Sequence, residues 1–303
     1  MYFVSDVSLW NNDFLRREIM GYIGKDDMGE VKAVYYKNKE HLLNIGFWNH
    51  VVNKKPEVFG NCVFHFCIGK KKLFHKKRET NIEIIKEVVK ILNPRCIVFC
   101  GDENLDLDEL NDLGNRTTLF LREYNKPEYT LTNNSFIIPV GYSNGIGPIE
   151  SIKPCTQRKF HWSFGNDVAL LDAALLTDEH LTRGHIGTCE KGELKDIYND
   201  SIFVPVVSKK GLDCTAIYDA LACGAIPIIV GGDADYKLAF GNFLGTNCIP
   251  PWVHGETWED VLNTCRVVLD DEEMLTQLQK NCIIWWQNIL SIYRSVIHKL
   301  WEE

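Results

Sequence analysis

The sequence predicts an α/β protein with two successive domains of parallel sheet and a long helical C-terminal segment. Short apolar runs alternate with amphipathic helical stretches through both halves of the chain. A loop rich in glycine, serine and proline over 141–154 separates the two alternating series. Residues 201–232 read as strand, loop, helix and strand in about thirty residues, the length of one βαβ unit. A chain of 303 residues suits two domains of ordinary size, which we expect at 1–150 and 151–303, with a final helix that can pack back on the first domain.

The first half alternates strands with helices, the pattern of a parallel sheet flanked by helices. Its apolar runs are rich in β-branched and aromatic residues and end at glycines or polar turns. A helix over 80–92 carries Ile82, Ile85, Val89 and Leu92 on one stripe and stops at Asn93-Pro94. The predicted strands are 31–36, 63–68, 96–100, 117–122 and 136–140, and a short second helix covers 107–113.

The stretch 201–232 is the most informative part of the second half. An apolar strand over 202–207 leads into a polar loop over 208–213. The following helix, 214–223, places Ile217 and Leu221 on one face, and Gly224 ends it before a buried strand. The other predicted elements are strands 159–164 and 225–230, an edge segment 247–251, and helices 168–176, 193–198, 258–269 and 272–301.

The start of the helix over 214–223 predicts an anion site, most often one for phosphate. Free N–H groups at a helix start attract anions, and a nearby cation strengthens the attraction. Lys209 and Lys210 supply that charge, between Ser208 and Gly211. This predicted phosphate site makes a nucleotide-handling protein the leading interpretation. The alternative is a solvated loop that binds nothing.

Asp219 is the predicted ribose ligand of this site. Thr215 and Asp219 lie four residues apart on a stripe distinct from the apolar face. A diphosphate at the helix start would leave a ribose near Asp219, whose carboxylate can accept both hydroxyls. The alternatives are that Asp219 is an exposed helix residue and that Asp213 is an ordinary N-cap.

Composition excludes several classes of protein. A formal net charge of −8 argues against a nucleic-acid binder, which needs a broad basic surface. The N-terminus lacks the pattern of a signal peptide, and no apolar run is long enough for a membrane span. Eleven cysteines, an odd number without a CxxC pair, indicate reduced thiols rather than a disulfide framework or a structural zinc site. We therefore expect a cytoplasmic protein without a membrane span.

Two successive α/β domains with a helical C-terminus suggest the GT-B arrangement of glycosyltransferases, with ligands in a cleft between facing domains. The second half also resembles the exostosin-like glycosyltransferases, in a strand, helix and strand and in two flanking elements. Parts of the first half are similar to the compact relatives encoded by large DNA viruses of algae. The segments that carry the likeness are 158–165, 201–205, 219–221, 224–228 and 235–240 in the second half, and 101–103, 121–124 and 138–142 in the first.

The chain departs from that family at two positions. The family has a glutamate where this chain has Asp219, which is one methylene shorter. It has an arginine where this chain has Ala216, and Lys209 or Lys210 can supply a charge there but not a bidentate fork. The resemblance implies an inverting, single-displacement transfer from a UDP-sugar without an obligatory metal. The donor we favour is UDP-xylose, and the acceptor a hydroxyl of a glycan such as that of a viral capsid protein.

An inverting transferase needs a general base on the acceptor hydroxyl. Glu103, with Asp102 as second choice, follows a predicted strand of the first domain and is the candidate base. Gly165 and Asn166 follow a strand of the second domain and are predicted to face the donor, or simply to form a βα turn. We assign acceptor binding to His65, Arg122 and Tyr142, with core packing as the alternative for His65.

Two rival functions remain open. Ala216 and the short Asp219 favour a module that binds a nucleotide sugar or a glycan without turnover. Asp233 and Asp235 form an Asp-x-Asp pattern, which holds a divalent cation against the donor in GT-A transferases. The helix start with its lysines already offers a phosphate site, so we expect no metal.

Overall fold

The computed structural model describes residues 1–6, 9, 14–20, 32–67, 78–100, 110, 113, 118–122, 134–164, 184–186, 191–206 and 212–302. The chain divides into two compact units. Unit 1 comprises Met1–Pro139, Phe243–Gly245 and Ser291–Glu303, and unit 2 comprises Val140–Asn242 and Thr246–Leu290. The first segment of unit 1 thus ends before the boundary expected at 150, and the C-terminal residues are grouped with unit 1.

Unit 1 is built on a parallel sheet. Its six described strands lie in the order β2-β1-β3-β4-β5-β6, and all of their pairings are parallel. The strands are β1 (Tyr2–Asp6), β2 (Lys32–Tyr36), β3 (Cys62–Cys67), β4 (Cys96–Cys100), β5 (Leu119–Arg122) and β6 (Ser135–Ile137). Strand β1 was not predicted.

Helices cover one face of this sheet with a single apolar core. They are α1 (Asn38–Leu42), α2 (Ile45–Lys54) and α3 (Arg78–Leu92), and a π-helical turn (Phe14–Met20) and a 3₁₀ turn (Pro56–Val58) also belong to unit 1. Ile82, Ile85 and Leu92 of the predicted stripe are buried. Val88 is fully buried, whereas Val89 of the predicted stripe is only partly buried against the same core. The two side chains are about 100° apart around the helix axis, so both can contact the core.

Unit 2 contains a second parallel sheet, with described strands in the order β11-β10-β9-β7-β8. The strands are β7 (Phe160–Phe164), β8 (Gly184–Ile186), β9 (Ser201–Val206), β10 (Ile226–Val230) and β11 (Val253–Gly255). The edge segment predicted at 247–251 is not a strand, and the edge strand follows it at Val253. Pro250 and Pro251 explain the shift, because proline has no N–H to donate to a sheet.

The helices of unit 2 include the one predicted to hold a phosphate. They are α4 (Lys191–Asn199), α5 (Thr215–Ala222), α6 (Asp233–Phe240), α7 (Trp258–Asp270) and α8 (Glu272–Glu302), with a 3₁₀ turn at Cys155–Gln157. Gly224 ends α5 with a φ of 69°, as predicted. A Cβ on Gly224 would lie 2.3 Å from Cγ2 of Ile152, so the close packing here also requires glycine.

The two sheets share one strand order. Numbered from the first strand of each unit, both begin 2-1-3-4-5, a doubly wound order. The chain changes direction across the sheet between β1 and β3 in unit 1, and between β7 and β9 in unit 2. Ligands of such sheets bind outside the carboxyl ends of the strands at this switch point. In unit 2 these ends are Phe164 and Val206.

Aromatic packing fixes α8 in unit 2. The rings of Trp252 and Trp285 lie 4.9 Å apart, and those of Tyr218 and Trp286 lie 5.1 Å apart. All four side chains are buried, which confirms the core role predicted for the first part of the tryptophan stripe. Through Tyr218 this packing reaches α5, the helix of the predicted phosphate site.

Arg158 holds three segments of unit 2 together through backbone carbonyls. Its guanidinium is buried and donates to the carbonyl oxygens of Lys153, Tyr198, Ser201 and Cys223. Burial lowers the pKa of this group, but the donors are satisfied by the carbonyls. Arg158, the first residue of the segment 158–165 that resembles the exostosin-like family, thus has a structural role in joining three backbone segments.

No described helix combines the length and apolar character needed to cross a membrane. The ten cysteines of the described part of the chain are all free thiols. Burial raises the pKa of several of them, which keeps them protonated.

Candidate functional site

The candidate site lies where α5 begins, at the carboxyl edge of the sheet in unit 2. Strand β9 leads into it, and α5 connects β9 to its parallel neighbour β10. Cys214 precedes the first helical residue, Thr215, with an extended backbone at φ −154° and ψ 161°. Thr215 is half-buried. The first N–H groups of α5 carry the partial positive charge that attracts anions.

Asp219 is buried one turn into α5 and is bound at both oxygens. Its Oδ1 accepts the backbone N–H of Ser143 at 2.6 Å, and its Oδ2 accepts the Ser143 hydroxyl at 2.9 Å. The alternative of an exposed helix residue is therefore wrong, since Asp219 is only 5% exposed. Each carboxylate oxygen has a second acceptor position. Asp219 can thus bond to Ser143 and still accept a ligand hydroxyl. Its role in binding the ribose stays a prediction.

Asp213, just before α5, has the most perturbed environment of the site. Its side chain is buried, its Oδ1 accepts the Tyr218 hydroxyl at 2.6 Å, and the backbone N–H of Val140 also bonds to the carboxyl group. Burial outweighs these hydrogen bonds and raises the pKa of Asp213 from 3.8 to about 8. The carboxyl group is therefore mostly neutral at physiological pH. It is not a simple N-cap, because its described partners are Tyr218 and Val140.

Residues 140–143 lie across the start of α5 through these two aspartates. Val140 bonds to Asp213 and Ser143 bonds to Asp219. Between them, Gly141 has a φ of 77°, a left-handed conformation that favours glycine, and Tyr142 is buried. The structure therefore puts Tyr142, a predicted acceptor ligand, in the packed interior of unit 2, next in sequence to Ser143, which bonds to Asp219 of α5.

The predicted residues of unit 1 that are described are also interior residues. His65 is fully buried in β3, where Nδ1 lies 2.9 Å from the Ser5 hydroxyl and the ring stacks on Phe3. Burial lowers its pKa to about 3, so the imidazole is neutral. Arg122 is fully buried at the end of β5, with its guanidinium 5.9 Å from the ring centre of Phe99. Their acceptor-binding roles stay predictions.

Several predicted site residues lie outside the described residues. These are Asp102, Glu103, Gly165, Asn166, Ser208, Lys209, Lys210 and Gly211. The described strands nevertheless end next to them in sequence. β4 ends at Cys100, β7 at Phe164 and β9 at Val206, each at the carboxyl edge of its own sheet.

The metal site proposed for a GT-A transferase is not supported by the geometry. Asp233 and Asp235 lie two residues apart in the first turn of α6, so their side chains point about 200° apart around the helix axis. Asp233 instead lies 3.3 Å from Nε2 of His254, and that imidazole stacks on Tyr236 with ring centres 3.8 Å apart. No group of three metal-ligating side chains occurs among the residues that the structure describes.

The sequence did not reveal Ser143 or the full role of Asp213. Ser143 lies 76 residues before Asp219, so only the fold brings the two together. A signal for Asp213 was present, because the acid lies between the apolar Leu212 and Cys214, where an exposed loop residue is not expected.

Two Rossmann-like units with parallel sheets and flanking helices define the GT-B fold class, and the fold predicted from the sequence is confirmed. The whole chain superimposes on HepE from Anabaena solved with UDP-glucose, with a TM-score of 0.56 at 11% identity, covering 100% of this chain and 99% of that one. It also matches HepE with UDP and glucose at a TM-score of 0.55 and 10% identity, with the same coverage.

A sucrose-phosphate synthase from Thermosynechococcus elongatus is similarly related in structure. Its TM-score is 0.55 at 10% identity, covering 99% of this chain and 98% of that one. No protein-family model and no curated protein matches the sequence. The GT-B fold excludes the GT-A alternative raised by the Asp-x-Asp pattern.

Proposed function

We propose that this protein is a glycosyltransferase that moves a sugar from a UDP-sugar to a hydroxyl of a glycan. The observation that carries the proposal is the match over the full chain to a protein solved with UDP-glucose. A buried carboxylate on α5, at the carboxyl edge of the sheet in unit 2, supports it.

In the proposed arrangement, unit 2 holds the donor. The amino end of α5, with Lys209 and Lys210 from the loop before it, binds the diphosphate, and Asp219 accepts the ribose hydroxyls. Thr215, Ser208 and Gly211 complete the phosphate contacts, and Gly165 and Asn166 follow β7 at the neighbouring strand end. No metal is needed, because a helix dipole and two ammonium groups can neutralise a diphosphate.

In the proposed reaction, Glu103 takes the proton of the acceptor hydroxyl. The acceptor oxygen forms a bond to the anomeric carbon of the donor while the bond from that carbon to UDP breaks, so configuration is inverted. Asp102 is the second candidate for the base, and His65, Arg122 and Tyr142 are assigned to the acceptor side. Unit 1 would then bind the acceptor and unit 2 the donor.

The finer assignment follows the exostosin likeness. It favours UDP-xylose as donor and an acceptor such as a capsid glycan of a virus of algae, made in the host cytoplasm. A binding module without turnover is the alternative, and Ala216 on α5 favours it because the family has an arginine there.

Thermal unfolding with UDP-, GDP- and CDP-sugars, each with and without EDTA, tests donor binding. A UDP-sugar at about a hundred times its Kd should stabilise the fold by about 2.7 kcal/mol, with no effect of EDTA. Stabilisation by UDP-xylose above UDP-glucose would support the donor assignment. No stabilisation by any nucleotide sugar would reject the proposal.

Turnover is tested by release of UDP and by product analysis with glycan acceptors. Glu103→Gln should bind the donor but transfer the sugar at least about a hundredfold more slowly, since a general base contributes that much. Asp235→Ala, which changes an exposed acid of α6, is the matched control and should be fully active. Full transfer by Glu103→Gln would reject this base, and donor binding without any transfer would favour the binding module.

A further inference from the structure

Two cysteines lie side by side at the carboxyl edge of the sheet in unit 1. Cys67 is the last residue of β3 and Cys100 is the last residue of β4, and the two are direct partners in the parallel register. Both carry thiols in the structure. Helix α3 separates them in the chain, so only the folded sheet brings them together.

The geometry of this pair suits a disulfide. Neighbouring strands lie about 4.8 Å apart, so the Cα atoms of register partners fall within the range of about 4.4–6.8 Å that disulfides span. Register partners also present their side chains on the same face of the sheet. The Cys100 thiol donates to the carbonyl oxygen of Phe66 at 3.5 Å, and this carbonyl belongs to the peptide bond that leads into Cys67. The Cys100 sulfur is therefore held against the backbone that carries Cys67.

The two thiols differ in their access to solvent. Cys67 is half-buried, whereas Cys100 is fully buried. A small molecule in solution can therefore reach Cys67 but not Cys100. Thiol–disulfide exchange begins with attack by one thiolate and passes through a mixed disulfide, which a second thiolate resolves. An accessible cysteine next to a resolving cysteine is the arrangement that this two-step reaction needs.

We propose that Cys67 and Cys100 are a reversible oxidation site, in which a low-molecular-weight disulfide such as oxidised glutathione converts the two thiols into a cross-strand disulfide. The Cys67 thiolate attacks one sulfur of the oxidant and releases one glutathione, which leaves a mixed disulfide on Cys67. The Cys100 thiolate then attacks the Cys67 sulfur and releases the second glutathione. The two cysteines lose two protons and two electrons, and the oxidant takes up both to become two thiols. This inference does not depend on the proposed function.

A second pair of cysteines, in unit 2, provides an internal control. Cys155 and Cys282 interact electrostatically, so they are also close to each other. Each is only 1% exposed, and burial raises the pKa of Cys155 to about 11 and also raises that of Cys282. Neither thiol can readily start the exchange, because the thiolate is the attacking species and neither is accessible.

Treatment of the full chain with oxidised glutathione, followed by alkylation and peptide mass spectrometry, tests the proposal. We expect two peptides linked through Cys67 and Cys100. A mixed disulfide on Cys67 should remain in less than about a tenth of the modified chains, because an adjacent thiol resolves it in a fast intramolecular step. Dithiothreitol should return both residues to thiols. Cys155 and Cys282 should stay alkylated as thiols throughout.

Substitutions separate the two steps of the reaction. Cys100→Ser should stop the exchange at one glutathione on Cys67, because the resolving thiol is gone. Cys67→Ser should leave Cys100 unmodified, because the buried thiol does not meet the oxidant. If Cys100→Ser does not fold, Cys100→Ala makes the same test without placing a hydroxyl in the interior.

Each other outcome overturns the inference. Glutathione that accumulates on Cys67 of the wild type without a link to Cys100 would show that the two sulfurs cannot meet. Modification of Cys100 in Cys67→Ser, or linkage of Cys155 to Cys282 at an equal rate, would contradict the argument from access. No reaction at Cys67 would remove the site altogether. None of these results bears on the binding of a UDP-sugar, so the proposed function is tested separately.

Discussion

Asp219 makes two hydrogen bonds to Ser143, and substitutions at both residues can separate its two proposed tasks. Ser143→Ala removes the 2.9 Å hydroxyl bond and keeps the backbone bond. We expect a loss of about 1 kcal/mol of unfolding free energy and unchanged UDP affinity. Asp219→Ala should cost about 1–3 kcal/mol and weaken UDP binding by about tenfold or more. Urea unfolding and calorimetry measure the two effects.

One result of comparing these two variants would contradict the ribose role of Asp219. If Asp219→Ala binds UDP as tightly as Ser143→Ala does, the carboxylate serves the segment around Ser143 and not the ribose. The pair is informative because both side chains belong to one contact and differ mainly in which of them would reach a ligand.

Asp213 should make stability depend on pH in a direction unusual for a carboxyl group. The folded state holds its proton up to about pH 8, whereas an unfolded chain releases it near the ordinary value of 3.8. The folded state therefore binds more protons in this window, and unfolding free energy should fall as pH rises from about 4 to 8, by at most about 1.4 kcal/mol per unit. Asp213→Asn should flatten this slope in urea unfolding without ligand. An unchanged slope in Asp213→Asn would mean that other groups cause it.

A buried amide joins the long helix α8 to two backbone segments of unit 2, in addition to the aromatic packing. Gln279 accepts the backbone N–H of Cys155 at 3.0 Å and donates to the carbonyls of Gly224 and Lys153 at 2.9 and 3.1 Å. Gln279→Leu would leave these backbone groups without that partner. We expect a loss of about 2–4 kcal/mol of unfolding free energy, because each buried polar group left unpaired is costly.

An exposed residue of the same helix provides the control for Gln279→Leu. Gln277 bonds to Asn281 on the surface of α8, so Gln277→Ala should change stability by less than about 0.5 kcal/mol. Urea unfolding followed by tryptophan fluorescence suits the measurement, because Trp285 and Trp286 lie on α8. Equal losses in the two variants would show that helix propensity, and not the buried amide, determines the effect.

Elements with strong local patterns could be predicted from the sequence, and short or irregular ones could not. The stripe through Ile82 and Leu92 gave helix α3 to within two residues of its observed start at Arg78. The short strand β8 and helix α6 were missed. α6 has only eight residues and begins in Asp-Ala-Asp, a pattern also typical of a loop. Gly184 of β8 leaves room for the Trp162 ring, a tertiary requirement that no local pattern reports.

In the candidate site, too, the features with a local sequence signal could be predicted and those that depend on the folded structure could not. Asp219 could be predicted because an acid in a helix beside an apolar face stands out locally. Its bonds to Ser143 could not, because 76 residues separate the partners and only the packed fold brings them together. The raised pKa of Asp213 depends on burial, which is likewise a property of the finished structure.

At the scale of the whole molecule, the chain repeats one strand order twice and then returns to its first unit. Both sheets begin 2-1-3-4-5, so each has its own switch point. The repeated βα pattern of the sequence predicted two domains of parallel sheet but not their strand order. The sequence analysis allowed the final helix to pack back on the first domain, and the structure divides this helix between the two units. Residues up to Leu290 are grouped with unit 2, and those from Ser291 with unit 1.

The C-terminal part of α8 should therefore be needed for the stability of unit 1. Tyr293 is fully buried with its ring 6.2 Å from that of Phe14, and Arg294 forms an ion pair with Glu18 in the same π-helical turn. Tyr293→Ala should cost about 3–5 kcal/mol, the usual loss for a large buried aromatic side chain, and hydrogen exchange should quicken across Phe14–Met20. Lys299→Ala, an exposed change on the same helix, should leave exchange unaltered. Protection of Phe14–Met20 equal to wild type in Tyr293→Ala would show that this turn is held by other contacts.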